Sequence, residues 1–221
     1  MKCDRKLSAP GSWIALYGPD GAGKSAVVDR LATELAPFFS GVSLHHLRIR
    51  LSRTPEQEVP VTQPHAQRPR GLILSYLKLL YMFGHGWLTH LMPTLFWIPA
   101  GRLVIFDRYF LDYAIDPTRY RLAKESVGLA SLLGRFTPRP DLQAILDVPA
   151  EELQRRKSEV SLAESKRQRQ EYAKRIGRLP NTILVNADRP VAEVASEIAR
   201  EVLECKHRPP QTEAEAYVAD V

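Results

Sequence analysis

One stretch constrains the fold more than any other: Gly18-Pro19-Asp20-Gly21-Ala22-Gly23-Lys24-Ser25. It fits G-x-x-x-x-G-K-[ST], the pattern of a phosphate-binding loop. The run Trp13-Ile14-Ala15-Leu16-Tyr17 before it is short and apolar, as a buried strand is. After it, Ala26, Val27, Leu31 and Leu35 recur at helical spacing among Asp29, Arg30 and Glu34. Strand, glycine loop and helix form the frame that phosphate binding needs. The glycines let the backbone N–H groups of Gly18, Asp20, Gly21, Ala22 and Gly23 converge on phosphate oxygens, and the helix start adds partial positive charge. Lys24 is placed to reach the β- and γ-phosphates, and the Ser25 hydroxyl to hold Mg²⁺. A glycine-rich turn that binds nothing is the plain alternative, and it needs no such frame.

The chain of 221 residues is long enough for one domain with a substantial core. Its net charge of +6 suits acidic ligands. The phosphate loop already supplies one, so no nucleic-acid partner is expected. Cys3 and Cys205 stand near opposite ends, without metal or redox spacing, which fits a reducing cytoplasm. The start of the chain is charged and lacks a following apolar signal core.

Residues 1–11 read as a flexible tail, and residues 12–206 as one domain. Pro37 stops the first helix. A second strand over residues 42–47 delivers His45, His46, Arg48 and Arg50 to a C-terminal strand end, where open α/β sheets bind ligands. Residues 48–70 form a long Pro-, Arg- and His-containing loop. The apolar region 72–98 is divided by Gly84-His85-Gly86, which predicts two helices, near 71–83 and 86–98. Core packing against the sheet is the expected use of this region, with membrane-surface contact as the lesser alternative. Some of its aromatics, Tyr76 among them, are compatible with a substrate pocket.

Leu103-Val104-Ile105-Phe106 predicts a buried strand that ends in Asp107, a carboxylate placed to help hold Mg²⁺. Arg108 and Tyr109 follow at once. Asp112, Asp116, Arg119 and Arg121 are either acceptor ligands or a helix cap with surface salt bridges. Pro117 opens a predicted helix to about Leu133, and residues 142–148 predict another strand. A helix from Pro149 ends in Arg155-Arg156-Lys157, and residues 155–170 form a cationic lid. A strand over 181–186 and an amphipathic helix over 190–203 complete the domain, and residues 207–221 read as a disordered tail. Strands alternating with helices predict a parallel sheet covered on both faces, a three-layer α/β/α arrangement.

A GTPase needs a base-reading Asn-Lys-x-Asp element, and Asn186-Ala187-Asp188 lacks the lysine. A large ATPase needs more chain. A kinase is favoured, because Arg108 puts a cation beside the Mg²⁺ carboxylate and the basic lid can close over a transferring phosphoryl group.

These motifs together carry a resemblance. Residues 18–25, Leu91-Met92-Pro93-Thr94-Leu95, residues 101–109, Leu146-Asp147-Val148-Pro149 and residues 183–193 resemble the thymidylate kinase family of P-loop nucleoside monophosphate kinases. The resemblance implies a five-stranded parallel sheet in the order 2-3-1-4-5, with ATP and Mg²⁺ as cofactors. It implies transfer from ATP to a phosphorylated small acceptor, dTMP first, and a homodimer. Lys24, Asp20 and Arg108 match catalytic positions, with Arg155 and Lys157 supplied by the lid, because Gly21 stands where some members carry a catalytic arginine. Arg156 matches an arginine near adenine, with Asn186 and Ala187 on the other side of that base. Ser25 and Asp107 match the metal positions. Asp20, Arg108, Tyr109, Arg48, Tyr76 and Asp112 are the implied acceptor contacts. The family's Arg-Glu-Pro-Gly stretch and its later Tyr-Gln pair are missing, which marks a divergent member. A sugar or lipid-linked acceptor, or a non-catalytic nucleotide-binding regulator, are the alternatives.

Overall fold

The strand β1 (Ser12–Tyr17) is buried along all six of its residues. A strand apolar on both faces belongs in the middle of a parallel sheet, where helices cover each side. That is where the computed structural model puts it, in the order β2-β3-β1-β4-β5. The structure describes residues 11–46, 69–157, 160–177 and 179–207, with backbone alone for 90–95, 206 and 207. The predicted tails therefore lie almost wholly outside the described residues, as does most of the loop 48–70.

The elements run β1, α1 (Lys24–Leu35), β2 (Val42–His46), α2 (Leu72–Trp97), β3 (Leu103–Asp107), α3 (Leu111–Ile115), α4 (Val127–Gly134), β4 (Leu142–Asp147), α5 (Ala150–Arg156), α6 (Leu162–Ile176), β5 (Thr182–Asn186) and α7 (Val191–His207). Every strand pairing is parallel. The register sets Leu16 against both Asp107 and Ala144, so β3 ends one residue short of β1 and β4 runs two residues past it.

Alternation along the strands divides the core in two. Ile14, Leu16, Ile105 and Leu146 face α1 and α7, where Val27, Leu31, Ile198 and Val202 meet them. Trp13, Ala15, Tyr17 and Phe106 face the other way, toward Leu79 and Met82 of α2, Tyr113 and Ile115 of α3, and Tyr172 of α6. Full burial of each such Leu or Ile stabilises the fold by about 1.5–3 kcal/mol.

Two sequence expectations are corrected. The apolar region is one helix, Leu72–Trp97, not two. Gly84 and Gly86 do not break it, because Gly86 is where Phe110 packs: a Cβ there would lie 2.4 Å from the Phe110 ring. The expected helix from Pro117 to Leu133 is instead a 3-10 turn Thr118–Tyr120, a second turn Lys124–Ser126 and the short α4. The Asp116 carboxylate accepts the Arg119 N–H at 3.1 Å, so it caps the first of these turns. The cationic segment after α5 is largely helical, and α6 is bound to the core through buried Ser165, Gln168 and Tyr172.

Candidate active site

The phosphate loop joins β1 to α1 at the C-terminal edge of the sheet. Gly18 has φ 146°, and a Cβ there would meet the Leu146 carbonyl at 2.9 Å. Gly23 has φ 82° and leads directly into α1. Both positions require backbone that L side chains rarely adopt. The glycines of the motif are therefore geometric necessities of this loop.

Beside the loop lies a cleft of 710 Å³. Lys24 and Ser25 line it from α1, His46 from β2, Asp107 and Arg108 from the end of β3. The Lys24 ammonium donates to the carbonyls of Gly18 at 2.7 Å and Pro19 at 2.6 Å. Burial first, and then the Arg108 charge, lower its pKa to about 7 against the pull of Asp20 and Asp107.

Arg108 sits in the left-handed region at φ 71°, a strained conformation for an arginine. It donates to Asp20 Oδ1 at 2.6 Å and to Asp112 Oδ2 at 2.5 Å. Burial opposes its charge, but Asp112 and Asp20 outweigh that, and its pKa goes up. Arg119 donates to the other Asp20 oxygen, Oδ2. One carboxylate is thus gripped by two guanidinium groups, one on each oxygen. Such charge-assisted bonds are the strong ones. Behind them, the Tyr172 hydroxyl donates to Asp112 Oδ1 at 2.7 Å. Asp112 is wholly buried, so it fixes Arg108 and does not face the cleft.

Asp107 offers a test of whether the site suits Mg²⁺. Its Oδ2 lies 3.2 Å from His46 Nδ1, while its buried Oδ1 has no hydrogen-bond partner among the described residues. An orphaned carboxylate oxygen and a hydroxyl, Ser25, in one cleft are hard oxygen donors. A nucleotide-borne Mg²⁺ takes one or two such ligands from the protein and completes its shell with phosphate and water. The residues fit the ion.

Other expected site residues distribute unevenly. Arg156 and Lys157 line the cleft. Arg156 also reaches the Ala187 carbonyl at 3.3 Å and Asp188 Oδ1 at 2.9 Å, so α5 is tied to the turn after β5 that carries Asn186 and Ala187. The Asn186 side chain accepts the Asp188 N–H at 3.0 Å and holds that turn. Gly21 approaches the lid, since a Cβ there would lie 3.4 Å from Lys157 Cβ. Ala22 is buried within the loop.

Arg155 points to solvent with its side chain 79% exposed and pairs with Glu152, so its expected place in the site is corrected. Tyr109 is corrected as well. It packs edge-on to Trp13, and its hydroxyl donates to the Pro138 carbonyl at 3.1 Å, away from the cleft. Tyr76 lies on α2 and lines no part of the cleft. Arg48 lies outside the described residues. The remaining lid cations are engaged elsewhere: Lys166 with Glu151, Arg167 with Glu164 and the Ile115 carbonyl, Arg169 with Asp147. Tyr120 lines the cleft, a place no sequence motif marks. Sequence alone leaves its neighbour Arg119 open between ligand and surface pair, and the structure brings it into the cleft.

A phosphate loop after β1, a carboxylate ending β3 and the strand order β2-β3-β1-β4-β5 define a P-loop protein of the three-layer α/β/α class. No family model matches the chain. The thymidylate kinase of Xanthomonas euvesicatoria pv. vesicatoria (strain 85-10) is 33% identical over 149 residues, which span 65% of this chain and 59% of that protein. The solved thymidylate kinase of Candida albicans has the same fold, with a TM-score of 0.61 at 19% identity over 91% of this chain and 96% of that one. The chain is thus similar to thymidylate kinases in sequence over those 149 residues and in fold over most of its length.

Proposed function

We propose that the chain transfers the γ-phosphoryl group of ATP to a nucleoside monophosphate, with dTMP the first acceptor and dTDP and ADP the products. The observation that carries this reading is the Asp20 carboxylate, held between Arg108 and Arg119 beside the Lys24 loop. Two guanidinium groups on one anion form a seat suited to a second phosphate. Lys24 faces the donor side, and the arginine pair faces the acceptor side. The acceptor phosphate is already a nucleophilic anion, so no strong general base is required. One of its oxygens forms the new P–O bond as the bond from the γ-phosphorus to the ADP oxygen breaks. Catalysis then rests on positioning and charge neutralisation.

In this reading Lys24 neutralises the β- and γ-phosphates. Ser25 and Asp107 hold Mg²⁺, which supplies further charge neutralisation on the triphosphate. Arg156, Asn186 and Ala187 border the adenine. Lys157, which faces Gly21 across the loop, adds charge from the lid. The chain acts as a homodimer in the cytoplasm, one domain over residues 12–206. A second reading, a different phosphorylated acceptor such as a sugar or a lipid-linked intermediate, is favoured by Arg119. That residue adds a second guanidinium just beyond Asp116-Pro117, which stand roughly where the resembling family carries its Tyr-Gln pair.

The test is ADP release from Mg·ATP with dTMP, with other nucleoside monophosphates, with phosphosugars and with no acceptor. Strong stimulation by dTMP is expected. Turnover with non-nucleotides alone would transfer the reading to the second acceptor class. Tight ATP binding without any acceptor-stimulated turnover would mark a regulator.

A further inference from the structure

A separate cavity of 420 Å³ lies among α3, α4, the segment entering β4 and the C-terminal half of α6. It shares no lining residue with the cleft around Lys24. Its size is within the usual range of small-molecule sites, about 300–1,000 Å³. The floor is apolar: Tyr109, Phe110 and Ala114 come from the segment after β3, and Ala130 from α4. At its base the Tyr17 hydroxyl donates to Gln143 Oε1 at 3.3 Å, and Gln143 Nε2 donates to the Pro180 carbonyl at 3.0 Å. Those polar groups are satisfied by each other and demand nothing of an occupant.

The mouth is different. Arg135, Arg139, Lys174 and Arg175 border it, with Glu171 as the one carboxylate among the described residues. Lys174 and Arg175 both bond Glu171, at 2.9 Å each. Arg135 and Arg139 form no ion pair among the described residues, although both are exposed. An apolar floor under a rim of surplus positive charge selects an anion with an apolar body. A highly phosphorylated ligand would set its polar bulk on aromatic and aliphatic surface, which is unfavourable.

We propose that this cavity binds a small amphipathic carboxylate, an aryl or short acyl acid. Its body packs on Tyr109, Phe110 and Ala114, and its carboxylate lies between Arg135 and Arg139. The position has a consequence for the cleft. Tyr17 immediately precedes Gly18 of the phosphate loop, and Tyr109 immediately follows Arg108. An occupant therefore touches both segments that carry the phosphate-handling residues. The proposal rests on no part of the kinase reading.

The test is isothermal titration of the full chain with 4-phenylbutyrate and with its neutral counterpart, 4-phenylbutanamide. Single-site binding of the carboxylate is expected, with the amide at least tenfold weaker. The double variant Arg135→Glu/Arg139→Glu, checked for a native circular dichroism spectrum, is expected to lose at least tenfold in affinity. Lys24→Ala is expected to bind the probe as the unaltered chain does. The proposal is overturned by the absence of saturable heat at millimolar probe. It is equally overturned by equal binding of the amide, by a folded double variant with unchanged affinity, or by loss of binding in Lys24→Ala. The comparison of acid with amide needs no variant, so it decides even if the double variant does not fold.

Discussion

Lys24 shows how a single buried charge can be read in solution. Burial, aided by Arg108, lowers its pKa to about 7, so above neutral pH most of its amines are uncharged. A bound triphosphate brings compensating negative charge and must draw the proton back. Titration calorimetry of ATP at pH 8 in Tris and in HEPES should show uptake that approaches one proton, falling away below pH 6. Lys24→Met should show none. Binding without buffer dependence at pH 8 would refute the assignment. The same shift fixes the sign for stability. Between about 7 and 10.5 the unfolded chain binds a proton at this site that the folded chain does not. The penalty of burying Lys24 is thus complete below pH 7 and is relieved as pH rises toward 10.5. Arg119 makes the second prediction at this scale. A hydrogen bond to a charged group contributes about 1.5–3 kcal/mol. Arg119→Ala should raise the acceptor KM between about tenfold and a hundredfold, with the ATP KM unmoved. An equal rise for both substrates would place Arg119 elsewhere. The phosphate loop was legible because its chemistry is local backbone geometry, encoded in eight consecutive residues. For Asp112, open in the sequence between acceptor ligand and salt bridge, the structure shows the salt bridge to Arg108; its other partner, Tyr172, lies 60 residues away, and no local pattern joins them. Arg119 stayed open because its reach depends on the turn Thr118–Tyr120, which Asp116 caps.

Two glycines of α2 separate local propensity from packing. Sequence reasoning treats Gly84-His85-Gly86 as a break, since glycine is a poor helix former. The helix runs through both. They have different surroundings: a Cβ at Gly84 meets nothing within 4 Å, while one at Gly86 meets Phe110 Cζ at 2.4 Å. Gly84→Ala should therefore stabilise the chain by up to about 1 kcal/mol through helix propensity. Gly86→Ala gains the same propensity but forces Phe110, itself buried, out of place; overpacking of this kind costs about 1–3 kcal/mol. Thermal unfolding of the two variants should shift in opposite directions. A stabilised Gly86→Ala would show that the notch is not a packing requirement. The element lengths that were read correctly have punctuation at their ends, such as Pro149 before α5 and Pro37 after α1. The region after Pro117 reads as one helix because Pro117 suits a first helical position with Asp116 as its cap. The Asp116 cap is there, but the positive φ of Arg121, 54°, ends the turn after Tyr120.

The molecule as a whole follows from one strand buried on both faces. The apolar runs made a parallel sheet legible, but not its order, because each run satisfies the same burial wherever it sits. The order came with the family resemblance, and the structure has it. The helix that the whole-molecule view leaves unfinished is α2. Ser75, Leu79, Met82 and Gly86 form its buried stripe. Ile73, Leu77 and Leu80 follow the same steps two residues earlier, Leu88 lies eight residues after Leu80 in that row, and all four are 51–75% exposed. Core packing, the expected use of this region, therefore accounts for one side only. A helix apolar all round is normally buried all round, and no helix among the described residues is long and apolar enough to cross a membrane. The homodimer proposed above would cover this second stripe. Sedimentation velocity should then show reversible self-association at micromolar concentration, and Leu77→Glu/Leu80→Glu should sediment as a monomer with an unchanged circular dichroism spectrum. If the unaltered chain is a monomer that floats with anionic liposomes, and the double variant does not float, the stripe meets a membrane surface. If neither sedimentation nor flotation changes on substitution, the second stripe is bare and its hydrophobicity has no partner.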